Sequence, residues 1–246
     1  MTRNRSPVTA PDVPFPYQDY LAAQQELLQA IEQAPFYGVL TGASGMGKSS
    51  LLRQLKDRLD RHRYQVVYLS SSRANVTNLT RFLATSLRVT PRRSHLETVQ
   101  AVVDTLRGQP AHLLVQVDEA DRVEPEVLQE LRLLAECDGE QLFSVLLSGL
   151  PELLRQLDRS QLFPLKRRIS ASGALTGLRR DELDGFLAHH WGPDQERIPK
   201  SGRDELFERT RATPGLIQWV LLRPMKQTNG KLSLEILRES LDSLGL

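Results

Sequence analysis

Residues 42–49, "GASGMGKS", combine residue types and spacing that suit phosphate chemistry. The pattern, Gly42-x-x-x-x-Gly47-Lys48-Ser49, is that of a P-loop. Its glycines let backbone N–H groups turn inward around phosphate oxygens. Lys48 can reach the β- and γ-phosphates of a nucleotide, and the Ser49 hydroxyl can ligate Mg²⁺. A glycine-rich turn without a ligand is the simpler alternative. The predicted nucleotide-binding residues are Gly42, Ala43, Ser44, Gly45, Met46, Gly47, Lys48, Ser49 and Ser50.

A second stretch, "LLVQVDEAD", ends an apolar run in two carboxylates, Asp118 and Glu119. In P-loop ATPases an Asp at this position holds the metal, and a following Glu polarises the attacking water. Helix-capping, solvated carboxylates are the alternative interpretation. Together the two stretches predict Mg²⁺-dependent ATP hydrolysis, with Ser49 and Asp118 at the metal and Glu119 as the catalytic base.

Strand and helix patterns around these stretches alternate. Four apolar runs predict strands, namely "FYGVLTG", "QVVYLSS", "HLLVQVDE" and "LFSVLLSGL", and amphipathic segments between them predict helices. Such alternation indicates an α/β fold with a parallel sheet covered by helices. From about residue 176 every segment has helical periodicity, with Trp191 and Trp219 expected in the core. We therefore expect a flexible arm at 1–16, an α/β domain at 17–175 and a small helical domain at 176–246.

Composition narrows the class of protein. The 246 residues include 32 Lys and Arg against 30 Asp and Glu, so attraction to nucleic acid has to come from local clusters. No apolar stretch is long enough for a membrane span, and the first residues have no signal-peptide core, so a cytoplasmic protein without membrane contact is expected. The single cysteine, Cys137, excludes an internal disulfide.

The chain resembles the AAA+ ATPases of the ExeA/GspA and TnsC/TniB group over residues 14–222. The resemblance rests on "GVLTGASGMGKSSLLRQL", "VDEADRVEPEVLQELRLLAE", "VLLSGLPELLRQL", "LKRRI" and "RATPGLIQW". It implies a P-loop AAA+ core followed by a small all-helical lid domain. It also implies that Ser148 is a polar sensor residue near the γ-phosphate.

The resemblance further implies a homo-oligomer, either a ring or a helical filament, in which a neighbour's arginine completes each ATP site. Arg168 matches that position best, and Arg167 is the alternative. One departure is Gly215 in "ATPGL", where the group has a second sensor arginine. This departure favours a slow ATPase switch over a fast motor.

TnsC-like members regulate DNA transposition and recombination: they coat duplex DNA with ATP bound, recruit a transposase, and disassemble on hydrolysis. The resemblance therefore implies duplex DNA, a transposase and a target-selection protein as partners. Non-specific contacts to the DNA phosphate backbone are expected from Arg73, Arg88, Thr90, Arg92 and Arg93. An ExeA/GspA-like assembly factor for an envelope secretion machine is the alternative, although the membrane helix and peptidoglycan-binding domain usual in that group were not found. A STAND-type signalling ATPase is a third candidate without the expected sensor repeats.

Overall fold

The computed structural model describes residues 13–70, 76–227, 232–243 and 245, which group into two compact units. One unit comprises Ala22–Ala43 and Lys48–Leu175, and we call it the α/β unit. The other comprises the described residues of Met1–Leu21, Ser44–Gly47 and Thr176–Leu246, and we call it the helical unit. The units divide the chain differently from the sequence expectation, because residues 17–21 and Ser44–Gly47 of the P-loop group with the helical residues.

A five-stranded parallel sheet forms the centre of the α/β unit, with strand order β2-β3-β6-β1-β7. Every residue of two neighbouring central strands, β1 and β6, is buried, as the short apolar runs predict for a sheet covered on both faces. A short antiparallel pair, β4 and β5, lies outside this sheet. The strands are β1 Tyr37–Gly42, β2 Tyr64–Ser70, β3 His112–Asp118, β4 Glu136–Cys137, β5 Glu140–Gln141, β6 Ser144–Gly149 and β7 Ile169–Leu175.

Helices connect the strands of the five-stranded sheet and contribute leucine and valine side chains to the core. For example, Leu51, Leu52 and Leu55 of the helix after β1 are fully buried. The helices of this part of the chain are α1 Gln18–Glu32, α2 Lys48–Arg58, α3 Val76–Ser86, α4 His95–Gly108, α5 Pro125–Ala135, α6 Glu152–Leu157 and α7 Phe163–Lys166. The α/β class with a helix-covered parallel sheet is confirmed.

The fifth strand, β7, was not expected from the sequence. Its letters, "ISASGAL", are small and polar at alternate positions, which gives no continuous apolar run. The strand forms because it lies at the sheet edge beside β1, where only alternate residues are buried.

Among the residues described after β7, four α-helices form most of the helical unit: α8 Leu183–Trp191, α9 Lys200–Arg209, α10 Pro214–Gln227 and α11 Leu234–Asp242. Its core includes His190, whose pKa is lowered to about 4 by burial and by the neighbouring His189. Trp191 is buried as expected, but the prediction for Trp219 is wrong because its side chain is 59% exposed. On α10 the buried stripe follows Ile217, Val220 and Leu221, and position 219 falls outside it.

Residues 13–16 make specific contacts, unlike the flexible arm expected for 1–16. Phe15 packs edge-on against Phe186 with 5.6 Å between ring centroids, and the Val13 carbonyl oxygen lies 2.8 Å from His189 Nε2. Residues 1–12 lie outside the described residues. Within the described part of the chain, no helix is both long and apolar enough to cross a bilayer.

Candidate functional site

The loop between β1 and α2 has the backbone geometry that its glycines permit. Gly45 and Gly47 adopt φ angles of +83° and +96°, a region that side chains with a Cβ rarely enter. α2 begins at Lys48, directly after the second of these glycines. A glycine-rich turn is therefore followed directly by the N-terminus of a helix, as the P-loop pattern predicts.

The Lys48 ammonium group lies back on the loop that precedes it. Its Nζ donates hydrogen bonds to the carbonyl oxygens of Gly42 (2.7 Å) and Ala43 (3.0 Å). Burial lowers the pKa of Lys48, while the nearby carboxylates, Asp118 foremost, act against this shift. The side chain thus supplies one positive charge at the carboxyl end of β1.

Asp118, the last residue of β3, is 4% exposed and receives three hydrogen bonds. Its Oδ2 accepts from Ser49 Oγ and from the Tyr68 hydroxyl, each at 2.7 Å. Its Oδ1 accepts from the Glu119 backbone N–H at 3.0 Å. The structure therefore brings together the two predicted metal-site residues, one from the start of α2 and one from the end of β3.

Tyr68 was missed by the sequence analysis. It lies on β2, in register with Gln116 and two residues before Ser70, which aligns with Asp118 itself. Burial raises the pKa of its hydroxyl to about 12, and the hydrogen bond to Asp118 adds to the shift. The hydroxyl is therefore a constant donor to Asp118 at neutral pH. A tyrosine near the end of the strand that pairs with β3 was the available signal.

Oxygen ligands at this position fit Mg²⁺. The Ser49 hydroxyl and the Asp118 carboxylate are hard donors in mutual contact, and Mg²⁺ in nucleotide sites takes one or two protein oxygens together with phosphates and water. Over the described residues, no group of three or more His, Cys, Asp or Glu side chains forms an all-protein metal cage. The donor set suits a nucleotide-bound cation and not a structural metal.

Glu119 has a different environment from its neighbour Asp118. Its side chain is 53% exposed, and Oε2 lies 3.6 Å from Arg122 Nη1. Its backbone is left-handed, with φ 52° and ψ 40°, which is uncommon for a residue with a Cβ. The turn between β3 and the short helix Ala120–Arg122 therefore directs the two carboxylates differently.

Ser148 is fully buried on β6, the strand between β3 and β1. It aligns with Leu40 of β1, and the preceding Leu147 aligns with Val117 of β3. Its Oγ has no hydrogen-bond partner among the described residues. Because a buried hydroxyl without a partner is unfavourable, this position is suited to a polar ligand. The sensor role stays a prediction.

Asp121 and Gly149 connect the turn after β3 to the end of β6, and the sequence analysis did not include them. Asp121 Oδ1 accepts a hydrogen bond from the Leu150 N–H at 2.8 Å. A Cβ on Gly149 would lie 2.6 Å from the same oxygen, so only glycine leaves room for the contact. This contact holds the strand end that carries Ser148 near the turn that carries Glu119.

Arg168 lies at the opposite end of the sheet from the P-loop. It directly precedes Ile169, which aligns with Tyr37 at the start of β1. At about 3.3 Å per residue, roughly 17 Å separate Tyr37 from Gly42 at the other end of that strand. Arg168 forms an ion pair with Glu136 and donates from Nη1 to the Pro164 carbonyl at 2.8 Å.

The Glu136 carboxylate that pairs with Arg168 has two further donors. Arg132 Nη1 lies 3.0 Å from Oε2, and the Tyr37 hydroxyl donates to Oε1 at 3.1 Å. Arg167, the alternative candidate for the arginine that completes a neighbour's ATP site, is exposed at the end of α7. An arginine at this end of the sheet is far from the P-loop strand end of its own chain.

The predicted DNA contacts separate into two places on the α/β unit. Arg88 lines a cavity of about 640 Å³ with Lys56 and Arg61, and none of the described residues that line it is a carboxylate. Arg92 and Arg93 line another cavity, of about 470 Å³.

This second cavity is also lined by Arg81, His95 and Glu130, and His95 Nε2 lies 3.5 Å from Glu130 Oε1. Thr90 is exposed and lines neither cavity. Arg73 lies outside the described residues. The sequence analysis missed Lys56 on α2, Arg61 in the turn after α2, and Arg81 on α3.

Comparison with known proteins identifies the family. The family model of the AAA domain matches residues 32–157, which is just over half of the chain. The chain belongs to the AAA domain family. The match includes the P-loop and the Asp118-Glu119 pair, whereas Arg167 and Arg168 lie beyond its end.

Among curated proteins, General secretion pathway protein A of Aeromonas hydrophila is 29% identical to this chain over 161 residues. The match covers 61% of this chain and 28% of that protein, so this chain spans less than a third of its relative.

Among solved structures, Cdc6p from Pyrobaculum aerophilum has a TM-score of 0.69 at 17% identity, covering 97% of this chain and 69% of that one. The Aeropyrum pernix ORC1 protein in complex with DNA has a TM-score of 0.64 at 14% identity, covering 95% and 66%. At these identities the two structures show a shared fold and no more.

Proposed function

We propose that this AAA domain protein binds Mg-ATP and hydrolyses it slowly. The observation that carries the proposal is the 2.7 Å contact between Ser49 at the start of α2 and Asp118 at the end of β3. Two ligands of one cation must meet in this way, although 69 positions separate them in sequence. Bound Mg²⁺ would supply charge neutralisation for the β- and γ-phosphates.

The other residues of the site have complementary roles in this proposal. Lys48 provides a positive charge for phosphate oxygens. Glu119, whose side chain is exposed, is the base that orients the attacking water. Ser148 offers its unpartnered hydroxyl to the γ-phosphate or to that water.

Arg168 acts on a neighbouring copy of the chain. Arg168 lies next to the Tyr37 end of β1, and about 17 Å separate that end from Gly42. The Arg168 side chain is too short to reach the P-loop of its own chain. An arginine that stabilises transition-state charge at a second copy requires an oligomer. We therefore propose a ring or a helical filament.

Duplex DNA is the proposed surface on which the copies assemble with ATP bound. Two cavities carry Lys56, Arg61 and Arg88 in one case and Arg81, Arg92 and Arg93 in the other, and these side chains suit phosphate oxygens. The resemblance to TnsC-like regulators then extends the proposal to transposition: the assembly recruits a transposase, with a target-selection protein, and disassembles on hydrolysis. The similarity in fold to an ORC1 protein solved with DNA agrees with a nucleic-acid partner.

A second candidate function is assistance to an envelope secretion machine. The similarity to General secretion pathway protein A, at 29% identity, favours it. Both candidates share the ATP site and differ in the partner. Stimulation of ATPase activity by duplex DNA distinguishes them.

The test measures ATP turnover and particle size of the full chain with Mg-ATP, with and without linear duplex DNA, over a range of protein concentrations. We expect turnover that rises more steeply than in proportion to protein, DNA-dependent assembly, and loss of that assembly as salt is raised. The matched variants are Arg88→Ala with Arg92→Ala, and Arg155→Ala as an exposed arginine outside both cavities.

Each failure has a distinct meaning. Absence of Mg-ATP binding would contradict the nucleotide site. Normal turnover that ignores duplex DNA would contradict the transposition proposal and leave the secretion-type function. DNA binding that does not change with salt would contradict the phosphate contacts.

A further inference from the structure

Two backbone carbonyl oxygens of the P-loop accept hydrogen bonds from residues distant in sequence. A phosphate nest turns backbone N–H groups to one side, and this leaves carbonyl oxygens directed elsewhere. In the helical unit, the Gly45 carbonyl accepts from the Gly215 backbone N–H at 2.9 Å. The Met46 carbonyl accepts from the Tyr17 hydroxyl at 2.7 Å, and this contact is buried. Two successive carbonyl oxygens of the loop therefore each accept a hydrogen bond from a residue distant in sequence.

The contact at Gly215 leaves no space for a side chain. A Cβ at this position would lie 2.9 Å from both Gly45 Cα and Gly45 O, which are backbone atoms that cannot rotate away. On the other side of the contact, a Cβ on Gly45 would lie 3.1 Å from Thr213 Cγ2. The two glycines thus meet backbone to backbone.

Tyr17 makes the second contact from a buried position. Its side chain is 2% exposed, and the neighbouring Tyr20 ring would lie 3.5 Å from a Cβ on Gly47. A buried carbonyl that loses its donor is destabilised more than an exposed one. The Tyr17 hydroxyl is therefore coupled to the orientation of the peptide unit at Met46.

We propose that Gly215 and Tyr17 are positioning residues for nucleotide binding, because they hold the Gly45 and Met46 carbonyls turned away from the phosphates. The proposal rests on the ATP binding proposed above. It also accounts for the glycine at the position where the resemblance expects an arginine. A backbone contact to the P-loop occupies the place from which an arginine side chain would start.

The main test compares Gly215→Ala with Gly108→Ala, using Mg-ATP affinity and thermal unfolding of the full chain. Both glycines lie in helices without a positive φ, and a Cβ on Gly108 would meet nothing within 4 Å. Alanine is the better helix former, so propensity alone predicts that both variants become more stable. We expect G215A to weaken Mg-ATP binding about tenfold, because the loop backbone must shift, while G108A stays within about twofold of the wild type.

Two further variants keep the test decisive if G215A does not fold. Tyr17→Phe retains the ring and removes only the hydroxyl, and we expect a similar loss of affinity, about tenfold. Gly215→Arg introduces the arginine that the ExeA/GspA and TnsC/TniB group has at this position, and we expect it to weaken Mg-ATP binding as well. Wild-type affinity in both G215A and Y17F would overturn the positioning role, as would tighter binding by G215R.

The outcome is separable from that of the proposed function. A wild-type chain that does not bind Mg-ATP would refute the proposed function itself. A wild-type chain that binds Mg-ATP, beside a Lys48→Ala variant that does not, establishes the site. Equal affinity in the wild type, G215A and Y17F then refutes only the inference about the loop.

Discussion

Replacing Tyr68 by phenylalanine removes one hydroxyl from the buried Asp118 carboxylate and leaves the ring in place. Tyr68 and Ser49 are the two side chains that donate to Asp118 Oδ2, each at 2.7 Å. If Ser49 ligated Mg²⁺ through an oxygen lone pair, its O–H could still donate to Asp118, so both hydroxyls would orient the carboxylate. The Tyr68 hydroxyl helps to orient the carboxylate, so Tyr68→Phe should weaken Mg²⁺ binding with nucleotide.

The expected magnitude follows from the charge and exposure of the pair. A hydrogen bond to a charged group contributes about 1.5–3 kcal/mol. Because Tyr68 is 46% exposed, solvent competes for the contact, and the lower end of that range applies. A loss of about 1.5 kcal/mol corresponds to roughly a tenfold increase in the Mg²⁺ concentration needed for half-maximal nucleotide binding.

The assay is a nucleotide-binding titration over Mg²⁺ concentration, repeated in chelator. Tyr64→Phe is the matched control, since it lies on the same strand and loses a hydrogen bond to the Ile31 carbonyl at 3.3 Å, outside the nucleotide site. We expect Y68F to bind nucleotide normally in chelator, and its shift in Mg²⁺ requirement to stay constant between pH 7 and 9, because the Tyr68 pKa is raised to about 12. A Mg²⁺ requirement equal to the wild type, or an equal shift in Y64F, would refute the reasoning.

Three other predictions concern single side chains. Ser148→Ala removes a buried hydroxyl that has no partner, so thermal stability should stay equal or rise while turnover falls about 10²-fold; a large loss of stability would show that the hydroxyl is structural. Arg168→Ala should leave ATP binding nearly intact and abolish hydrolysis, and mixing it with an equal amount of Glu119→Gln should restore part of the turnover if the arginine acts between copies. His190 has a folded-state pKa near 4 against 6.5 unfolded, so the folded state binds fewer protons between these values and stability falls as pH drops through that window. The contribution of neutral His190 to the free energy of unfolding is complete above pH 6.5, and about 2 kcal/mol of it is lost by pH 5. Urea unfolding at pH 7.5 and 5 should therefore show a weaker pH dependence of stability in His190→Gln than in the wild type.

Much of the ATP site was predictable from the sequence because its signals are local. The P-loop letters determine a glycine-rich turn followed by a helix, and the apolar run before Asp118 determines a buried strand ending in a carboxylate. In both cases residues adjacent in sequence set the backbone geometry through their φ preferences and hydrophobic periodicity. The four apolar strands and the shift to helices after residue 176 follow from the same local signals.

Tertiary structure alone decided which distant residues meet. The register of β2 on β3 brings Tyr68 to Asp118, and the alignment of β7 with β1 sets Arg168 at the end away from Gly42. Parallel register depends on the packing of whole strands and connecting helices, and periodicity within one strand does not encode it. The same holds for Gly215, since only the folded chain shows that its missing side chain leaves room for the Gly45 backbone.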